Sequence, residues 1–389
     1  MNESPHLNGP TIDGHADTPQ RFLDDGWNFT DPLGRGMLNL ETARCGGLDA
    51  QFFAIWVDPV EYAGLYAHRA LQLIDSVHEQ VRRAPAQLAF CASAEELEQA
   101  HRVGLFAVLL GLEGGHCIEN DLALLRTYHR LGCRYMTLTW SHSVGWADSC
   151  GDIDDPQVLH AHGLNDFGRE VIREMNRLGM MVDISHVSDE TFWAVLDTST
   201  APVIASHSSA RALTDVPRNL TDDQIRAIAR AGGIVMINFY PGFVDGRWRD
   251  AWDSLKEERD RAHAIAAAPF RERGQPVPFS ISNTIDREFA NRIPRAPRRV
   301  VVDHIEHILH VAGSEHVGLG SDFDGIPISP AGLDSPADLP ALARELQHRG
   351  FSAVEIEGVL GKNLLRVWRS IEQKANAAAA QPTLAVPVL

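Results

Sequence analysis

Four short apolar segments of the chain end in residues that bind metal ions. His15 and Asp17 close the first segment, Glu113 closes the second, and His186 and His207 close the other two. Imidazole nitrogens and carboxylate oxygens without a thiolate form a ligand set that suits zinc and, less well, manganese or iron. The set therefore predicts a metal-dependent hydrolase.

The pair formed by His15 and Asp17 is the most compact part of this set. The two residues are two positions apart on a predicted strand, so both side chains point to one face and can bind one ion. Such a pair is a weak signal by itself, because it is frequent by chance and a lone histidine more often makes a structural hydrogen bond. The other three ligands strengthen the metal interpretation.

The number of ligands predicts two zinc ions per chain. One catalytic zinc ion usually keeps three protein ligands and an open position, so five ligands exceed its needs. Glu113 is central in strand order and precedes Gly114 and Gly115, which allow close backbone approach, so we expect it to bridge the ions. A water between two cations about 3.5–4 Å apart would be deprotonated near neutral pH and become the nucleophile.

Eight strand-like apolar runs, most of them separated by stretches of helical periodicity, must position these residues. The runs cover residues 11–17, 52–58, 106–113, 135–140, 181–186, 203–207, 234–239 and 317–322. This alternation predicts an α/β fold, a (β/α)8 TIM barrel of the metallo-dependent hydrolase type, whose reacting groups lie at the C-terminal ends of the strands. Capping boxes expected at Ser93, Thr221 and Ser352 support the helix assignments.

The domain organisation that we expect is a single catalytic barrel over residues 1–373. A charged and proline-containing insertion at about 244–298 follows the seventh run, where a long loop commonly serves as a lid or specificity element. A helical surface insertion without a catalytic part is an equal alternative. Residues 374–389 are alanine-rich and then contain prolines, so we expect a flexible tail.

Composition excludes several classes of partner. The formal net charge is −17, from 52 acidic and 35 basic residues, so nucleic acids and acidic membrane surfaces would be repelled. No apolar run reaches the roughly 20 residues of a membrane span. The first residues resemble no signal peptide, and the five scattered cysteines include no CxxC pair, so we expect buried, reduced thiols in a cytoplasmic protein. A homodimer remains open.

Three further residues are candidates for handling substrate. Asp322, at the end of the eighth run, could orient the attacking water and pass its proton to a leaving amine. Asp324 lies further into the loop, where a turn-forming role is favoured. Arg218 follows the sixth run and could hold a substrate carboxylate, although a surface arginine is the default interpretation.

Other histidines receive different interpretations. The residues His304, His307 and His310 lie on a predicted amphipathic helix, and we expect them on its solvated face. His142 comes just after the fourth run, at the mouth of the predicted barrel.

The chain resembles the membrane (renal) dipeptidase family, whose members are binuclear zinc peptidases on a (β/α)8 barrel. Five segments carry the resemblance in the family's order, within about residues 11 to 370. They are DGHADTP at 13–19, GLEGGH at 111–116, DISHVS at 183–188, SHSSAR at 206–211 and GLGSDFDG at 318–325. Family members cleave small dipeptides, often tolerate a D-residue at the second position, and in some cases open β-lactams.

The resemblance implies roles for individual residues. Glu113 would be shared between one zinc ion held with His15 and Asp17 and a second held with His186 and His207. Arg218 would anchor the terminal carboxylate of the dipeptide, and Asp322 would be the acid/base.

The fourth run departs from the family pattern. In the family the corresponding strand typically ends in Leu-Thr-His, and this histidine helps to stabilise the tetrahedral intermediate. In this chain Trp140 occupies the place of that histidine. An indole N–H donates one hydrogen bond and carries neither a proton nor a charge. By strand alternation we expect His142 on the same face, where it could substitute, while Trp140 would contact substrate.

The sequence leaves three functions open. The first is a zinc dipeptidase acting on small L-L or L-D dipeptides. The second is an amidohydrolase acting on N-acyl amino acids or related small amides. The third is a metal-retaining binding protein with weakened catalysis, which only Trp140 favours.

Overall fold

The computed structural model describes residues 8–380 of the chain. Its parallel sheet has the order β1-β2-β4-β5-β6-β7-β8-β9, and β3 pairs with the start of β4 on the edge that β5 occupies further along. The strands are β1 (Ile12–Ala16), β2 (Ala50–Trp56), β3 (Leu88–Phe90), β4 (Phe106–Glu113), β5 (Cys133–Thr137), β6 (Met181–Asp183), β7 (Val203–Ala205), β8 (Ile234–Ile237) and β9 (Val317–Leu319).

Backbone hydrogen bonds close this sheet into a ring. The amide of Asp17 donates to the carbonyl of Phe323 at 2.9 Å, and the amide of Asp322 donates to the carbonyl of His15 at 3.0 Å. These bonds join β1 to the residues that follow β9. The prediction of a (β/α)8 barrel is confirmed.

The strands form because their residues are buried on both faces. Every residue of β2 and β4 is buried, which is the near-continuous apolar pattern of parallel strands covered on both sides. Phe52 belongs to the cluster inside the barrel, where its ring packs 5.5 Å from that of Trp368, whereas Phe53 belongs to the cluster under the helices. The alternation of side chains along each strand thus fills both layers of the core.

Helices cover the outside of the ring. Within residues 8–380 the α-helices are α1 (Pro19–Asp24), α2 (Leu40–Gly46), α3 (Tyr66–Arg83), α4 (Ala94–Arg102), α5 (Leu122–Arg130), α6 (Asp166–Leu178), α7 (Asp189–Thr198), α8 (Asp222–Arg230), α9 (Pro241–Val244), α10 (Gly246–Ser254), α11 (Lys256–Glu272), α12 (Phe279–Ala290), α13 (Arg299–Ala312), α14 (Leu339–His348), α15 (Ala353–Glu357) and α16 (Asn363–Ala379). Short 3-10 helices occupy Gly115–Ile118, Ser314–His316 and Pro336–Asp338, and a π-helix occupies Gly358–Lys362.

Two of the three expected capping boxes are present in full. The hydroxyls of Thr221 and Ser352 each accept from the amide three residues on, and the amides of Thr221 and Ser352 donate to the side chains of Gln224 and Glu355. Ser93 accepts from the amide of Glu96, but the Glu96 carboxylate binds the amide of Ala92 instead. The caps at Ser93 and Thr221 start α4 and α8, which pack on β4 and β8, whereas Ser352 starts the short α15, which packs on α14 and on the π-helix.

The chain between β8 and α13 forms helices α9 to α12, which reach across the C-terminal ends of other strands. The amide of Val277 donates to Glu61 in the loop after β2 at 2.9 Å. The side-chain amide of Asn283 donates to the carbonyl of Asp324 after β9 at 3.1 Å. These bonds attach the segment to the mouth of the barrel.

Several local expectations are wrong. His304 is buried, and its Nδ1 accepts a hydrogen bond from the amide of Ala210 at 3.0 Å. His307 is half-buried with its Nε2 2.7 Å from a carboxylate oxygen of Asp222, and His310 is exposed as expected. Cys45 is exposed and Cys150 is half-buried, although the five cysteines are all free thiols. The expected tail from residue 374 begins inside α16, which continues to Ala379, and its residues 381–389 lie outside the described residues.

No helix among the described residues combines the length and apolar character needed to span a bilayer.

Candidate metal centre

The five predicted ligands meet at the C-terminal end of the barrel, and all of them are buried. On one side of Glu113, its Oε2 atom lies 3.3 Å from Nε2 of His15. Nε2 of His15 also lies 3.6 Å from Oδ2 of Asp17, so three donor groups converge. Nε2 of His15 and Oδ1 of Asp17 are buried without a hydrogen-bond partner among the described residues.

The other oxygen of Glu113 faces the remaining two histidines. Its Oε1 atom lies 3.2 Å from Nε2 of His186 and 3.5 Å from Nε2 of His207. The two Nε2 atoms are 3.0 Å apart. One carboxylate therefore faces His15 with one oxygen and the other two histidines with the second, as a bridging ligand would. The two sides adjoin, since the ring centroids of His15 and His207 are 3.8 Å apart and the donor atoms of His15, Glu113 and His207 lie within 4.8 Å of one another.

The electrostatics of this donor set fit divalent cations. Burial lowers the pKa of His186 to about 4 and holds the pKa of His207 well below its ordinary value, so both rings are neutral at pH 7. Burial alone would raise the pKa of Glu113, but the imidazoles around it outweigh burial and hold that pKa well below its ordinary value. For His186, His207 and Glu113 these are the protonation states that bind a metal. Burial alone would lower the pKa of His15, but Tyr135 and the carboxylates of Glu113 and Asp17 hold that pKa well above its ordinary value, so His15 would release a proton when an ion binds.

Loop backbone places two of the ligands. The predicted runs placed His186 and His207 on strands. In the structure β6 and β7 end earlier, at Asp183 and Ala205, so both histidines lie in the loops that follow. His186 has a φ of 69°, in the left-handed region that non-glycine residues seldom occupy. Such strain persists where surrounding structure enforces it, which is typical of functional sites.

Buried polar residues orient the rings. The phenol of Tyr135 lies 2.8 Å from Nδ1 of His15, and the hydroxyl of Ser206 lies 2.7 Å from Nδ1 of His207. Ser206 in turn donates to Asp183 at 2.6 Å, and Asp183 also accepts from the amide of Ser185. These partners make each Nε2 the atom that faces Glu113. Tyr135 and Asp183 were not predicted as site residues from the sequence, although Asp183 begins the segment DISHVS that supported the family resemblance.

Asp322 completes the centre next to Asp17. The side-chain amide of Asn238, just after β8, donates to Oδ2 of Asp322 at 2.9 Å. Burial raises the pKa of Asp322 to about 8, and the neighbouring carboxylates of Asp17 and Glu113 add to the shift while His15 opposes it. An added Cβ at Gly325 would collide with both aspartates, so only glycine fits there.

Asp324 lies outside the centre. Its Oδ1 accepts from the amide of Met37 at 2.7 Å and its Oδ2 accepts from the hydroxyl of Thr18 at 2.8 Å. Its φ of 66° and the bond from Gly325 N to Asp322 O are those of a tight turn. The carboxylate thus attaches the loop after β1 to the loop after β9.

Arg218 lies beside His207 and is buried. Its guanidinium donates to the hydroxyl of Ser208 at 2.7 Å and to the carbonyl of His207 at 2.8 Å. Its Nε has no partner among the described residues, and the guanidinium lies 5.4 Å from the ring of Phe243. Burial lowers the pKa of Arg218 from its high ordinary value without removing its charge.

A cavity of about 190 Å³ opens over the ligands, and Trp140 lies in its wall. Eight further residues line the cavity and were not predicted as site residues from the sequence: Trp56, Ser141, Tyr240, Phe243, Phe279, Gly325, Ile326 and Pro327. His142 is exposed, does not line this cavity, and stacks on Trp140 with ring centroids 5.5 Å apart. The expectation from strand alternation fails here, because β5 ends at Thr137 and the chain turns before residue 142.

Comparison with known proteins gives a consistent result. A model of the membrane dipeptidase family (peptidase family M19) matches residues 6–382. Dipeptidase 3 of Mus musculus is 35% identical over 387 residues, 97% of this chain and 67% of that protein. The structure of the probable dipeptidase PvdM from Pseudomonas aeruginosa has a TM-score of 0.80 at 25% identity, covering 95% of this chain and 96% of that one. A metallopeptidase from Rhodobacter sphaeroides, liganded with a phosphinate mimic of the dipeptide L-Ala-D-Ala, has a TM-score of 0.74 at 25% identity, covering 93% and 99%.

Proposed function

Because the chain belongs to the membrane dipeptidase family and is therefore a metallopeptidase, we propose that it is a zinc dipeptidase that uses two zinc ions per chain. Its substrates would be small dipeptides, with an L- or D-residue at the second position. The observation that carries the proposal is the position of Glu113, whose two oxygens face separate ligand groups at 3.2–3.5 Å.

The ligands divide between two sites. His15 and Asp17 would hold one ion with one oxygen of Glu113, and His186 and His207 would hold the other ion with the second oxygen. The neutral state of His186 and His207, which burial enforces, suits this role. When bound, zinc ions polarise a scissile carbonyl and lower the pKa of a water between them.

Asp322 would move the proton. The side-chain amide of Asn238 donates to Oδ2 of Asp322, and the neighbouring carboxylate is that of the predicted metal ligand Asp17. These contacts hold the Asp322 carboxylate at the edge of the centre. There it can accept a proton from the attacking water and deliver it to the nitrogen of the leaving amine. Burial raises the pKa of Asp322 above that of an ordinary carboxyl, and bound cations would oppose this rise.

Arg218 would hold the substrate. Its fork is already fixed by Ser208 and by the carbonyl of His207, so little side-chain entropy is lost when it binds a carboxylate. A dipeptide whose terminal carboxylate lies at Arg218 would extend over His207 towards Glu113. In this position the peptide bond would lie at the ligands.

Metal analysis combined with a dipeptide panel tests this function. Protein purified without chelator is expected to contain about two zinc ions per chain and to hydrolyse L-L or L-D dipeptides. The matched control is the same panel with an amidated C-terminus, which Arg218 would not anchor. A metal ratio near one at full activity would refute the two-ion site, and equal turnover of amidated substrates would favour a broader amidase.

A further inference from the structure

The cavity over the metal ligands has two walls on opposite sides of the barrel. Trp56 ends β2 and Trp140 follows β5, whereas Tyr240 and Phe243 follow β8. In the ring order, β8 is three strands from β5 and three strands from β2. The ligands therefore lie between two groups of aromatic side chains.

The wall near β2 and β5 contains three aromatic rings from distant parts of the chain. The centroid of Trp56 lies 4.9 Å from that of Trp140, at an interplanar angle of 56°. It also lies 5.6 Å from the centroid of Phe279, which begins α12 and reaches the wall from beyond β8. We call Trp56, Trp140 and Phe279 the aromatic wall. Its separations lie within the 4.5–7 Å range of attractive ring contacts.

This wall borders the reacting position. The ring of Trp140 lies 6.3 Å from that of His186, so an apolar group against the indole would be adjacent to the metal ligands. The rings of Trp140 and Phe279 are only half-buried and line the open cavity, so they still have surface for a ligand. None of the three wall residues is charged, so an apolar group loses less hydration against their rings than an ionic one does. The carboxylates of Asp17 and Asp322 line the same cavity.

The opposite wall adjoins Arg218, which does not itself line the cavity. Phe243 lines the cavity and its ring lies 5.4 Å from the Arg218 guanidinium, which is itself bonded to the carbonyl of His207. A dipeptide with its carboxylate at this end and its peptide bond at Glu113 has its first residue on the far side. That side is the aromatic wall.

We propose that the aromatic wall is the pocket for the side chain of the first residue, and that it selects dipeptides whose first residue is aromatic or large and apolar. This inference rests on the proposed dipeptidase function. Phe279 makes the helical segment after β8 part of the substrate site, because α12 supplies one of the three rings. A small first residue such as alanine would leave the wall in contact with water.

The test compares four dipeptides that share alanine as the second residue and carry alanine, leucine, phenylalanine or tryptophan first. The zinc-loaded protein is expected to show a kcat/KM for Phe-Ala about tenfold above that for Ala-Ala, the lower end of hydrophobic pocket discrimination. Phe279→Ala should reduce that ratio by about threefold or more, while Phe279→Leu retains most of it. Because both substrates meet the same enzyme, the ratio does not respond to a general loss of folded protein.

Phe243→Ala is the matched control, since it removes an aromatic ring from the opposite wall of the same cavity. It should lower kcat/KM for Phe-Ala and Ala-Ala by the same factor and leave the ratio unchanged. Hydrolysis of all four dipeptides without preference, or an unchanged ratio in Phe279→Ala, would overturn this inference alone. Hydrolysis of no dipeptide by protein with bound zinc would overturn the proposed function and this inference with it.

Discussion

Replacement of His142 by alanine separates two explanations for Trp140, which follows β5. Either His142 has taken over oxyanion stabilisation, or Trp140 shapes the substrate pocket. If His142 stabilises the oxyanion, its loss costs about 10²–10³ in kcat, the effect of removing one such donor. The geometry opposes this role, because His142 is exposed, does not line the cavity and stacks on Trp140. We therefore expect a small effect.

The size of that effect follows from the stacking contact. An aromatic pair contributes about 0.5–1.5 kcal/mol, and the exposure of His142 places this pair at the lower end. Even if all of that energy positioned Trp140, 0.5 kcal/mol corresponds to only about a twofold change in rate. His142→Ala should thus leave kcat within about threefold and leave the metal content unchanged.

Trp140→His, by contrast, should have a large effect on kcat. It places a side chain that can carry a proton in the cavity wall, 6.3 Å in ring distance from His186 in the parent structure, and removes an indole. We expect kcat for Ala-Ala to rise about tenfold or more, as a recovered oxyanion donor would allow. Steady-state kinetics with parallel zinc analysis measures both variants. A 10²-fold loss in His142→Ala at full metal content would refute the argument, because it would show that His142 reaches the reacting carbonyl.

Three further variants test the centre itself. Glu113→Gln presents an amide NH2 to one ligand group, so the zinc content should fall below two ions per chain and kcat should fall by about 10³-fold or more. Elemental analysis and steady-state kinetics measure both effects, and near-normal turnover would contradict a bridging role. Arg218→Lys should raise KM about tenfold or more and change kcat little, because an ammonium cannot bind a carboxylate through two parallel bonds; an equal loss in kcat would contradict it. Asp322→Asn should lower kcat about 10²–10⁴-fold at unchanged zinc content and remove one limb of the pH profile, and a retained limb would assign that proton to another group.

The barrel and its ligands were predictable because their signals are local. Each predicted run overlaps one strand of the barrel, although β2 and β5 each begin two residues before their runs. The ligands follow from residue chemistry and from their place at or just after strand ends. The short β3, by contrast, was not predicted. It spans only Leu88–Phe90 and pairs only with the start of β4, so no long apolar run marks it.

Strand ends and helix faces were less predictable because tertiary contacts decide them. The run at 181–186 ends as a strand at Asp183, where the carboxylate accepts from the amides of Ser185 and Ser206 and turns the chain before His186. His304 was expected in solvent, but a loop amide from Ala210 binds its ring in the interior. The bonds from Ser206 and Ala210 join residues that are distant in the chain, so periodicity does not reveal them.

The same distinction explains why catalysis and selectivity differ in how far the sequence reveals them. A metal ligand must be one of a few residue types next to a strand end, so its identity carries the signal. The aromatic wall needs only apolar bulk at three places, and Trp56, Trp140 and Phe279 come together because β2, β5 and α12 meet at one side of the mouth. In the sequence alone, Trp56 cannot be distinguished from other apolar strand residues, and Phe279 cannot be distinguished from other residues that begin a helix. A change of substrate within such a barrel can therefore arise in the segment after β8 while every metal ligand stays the same.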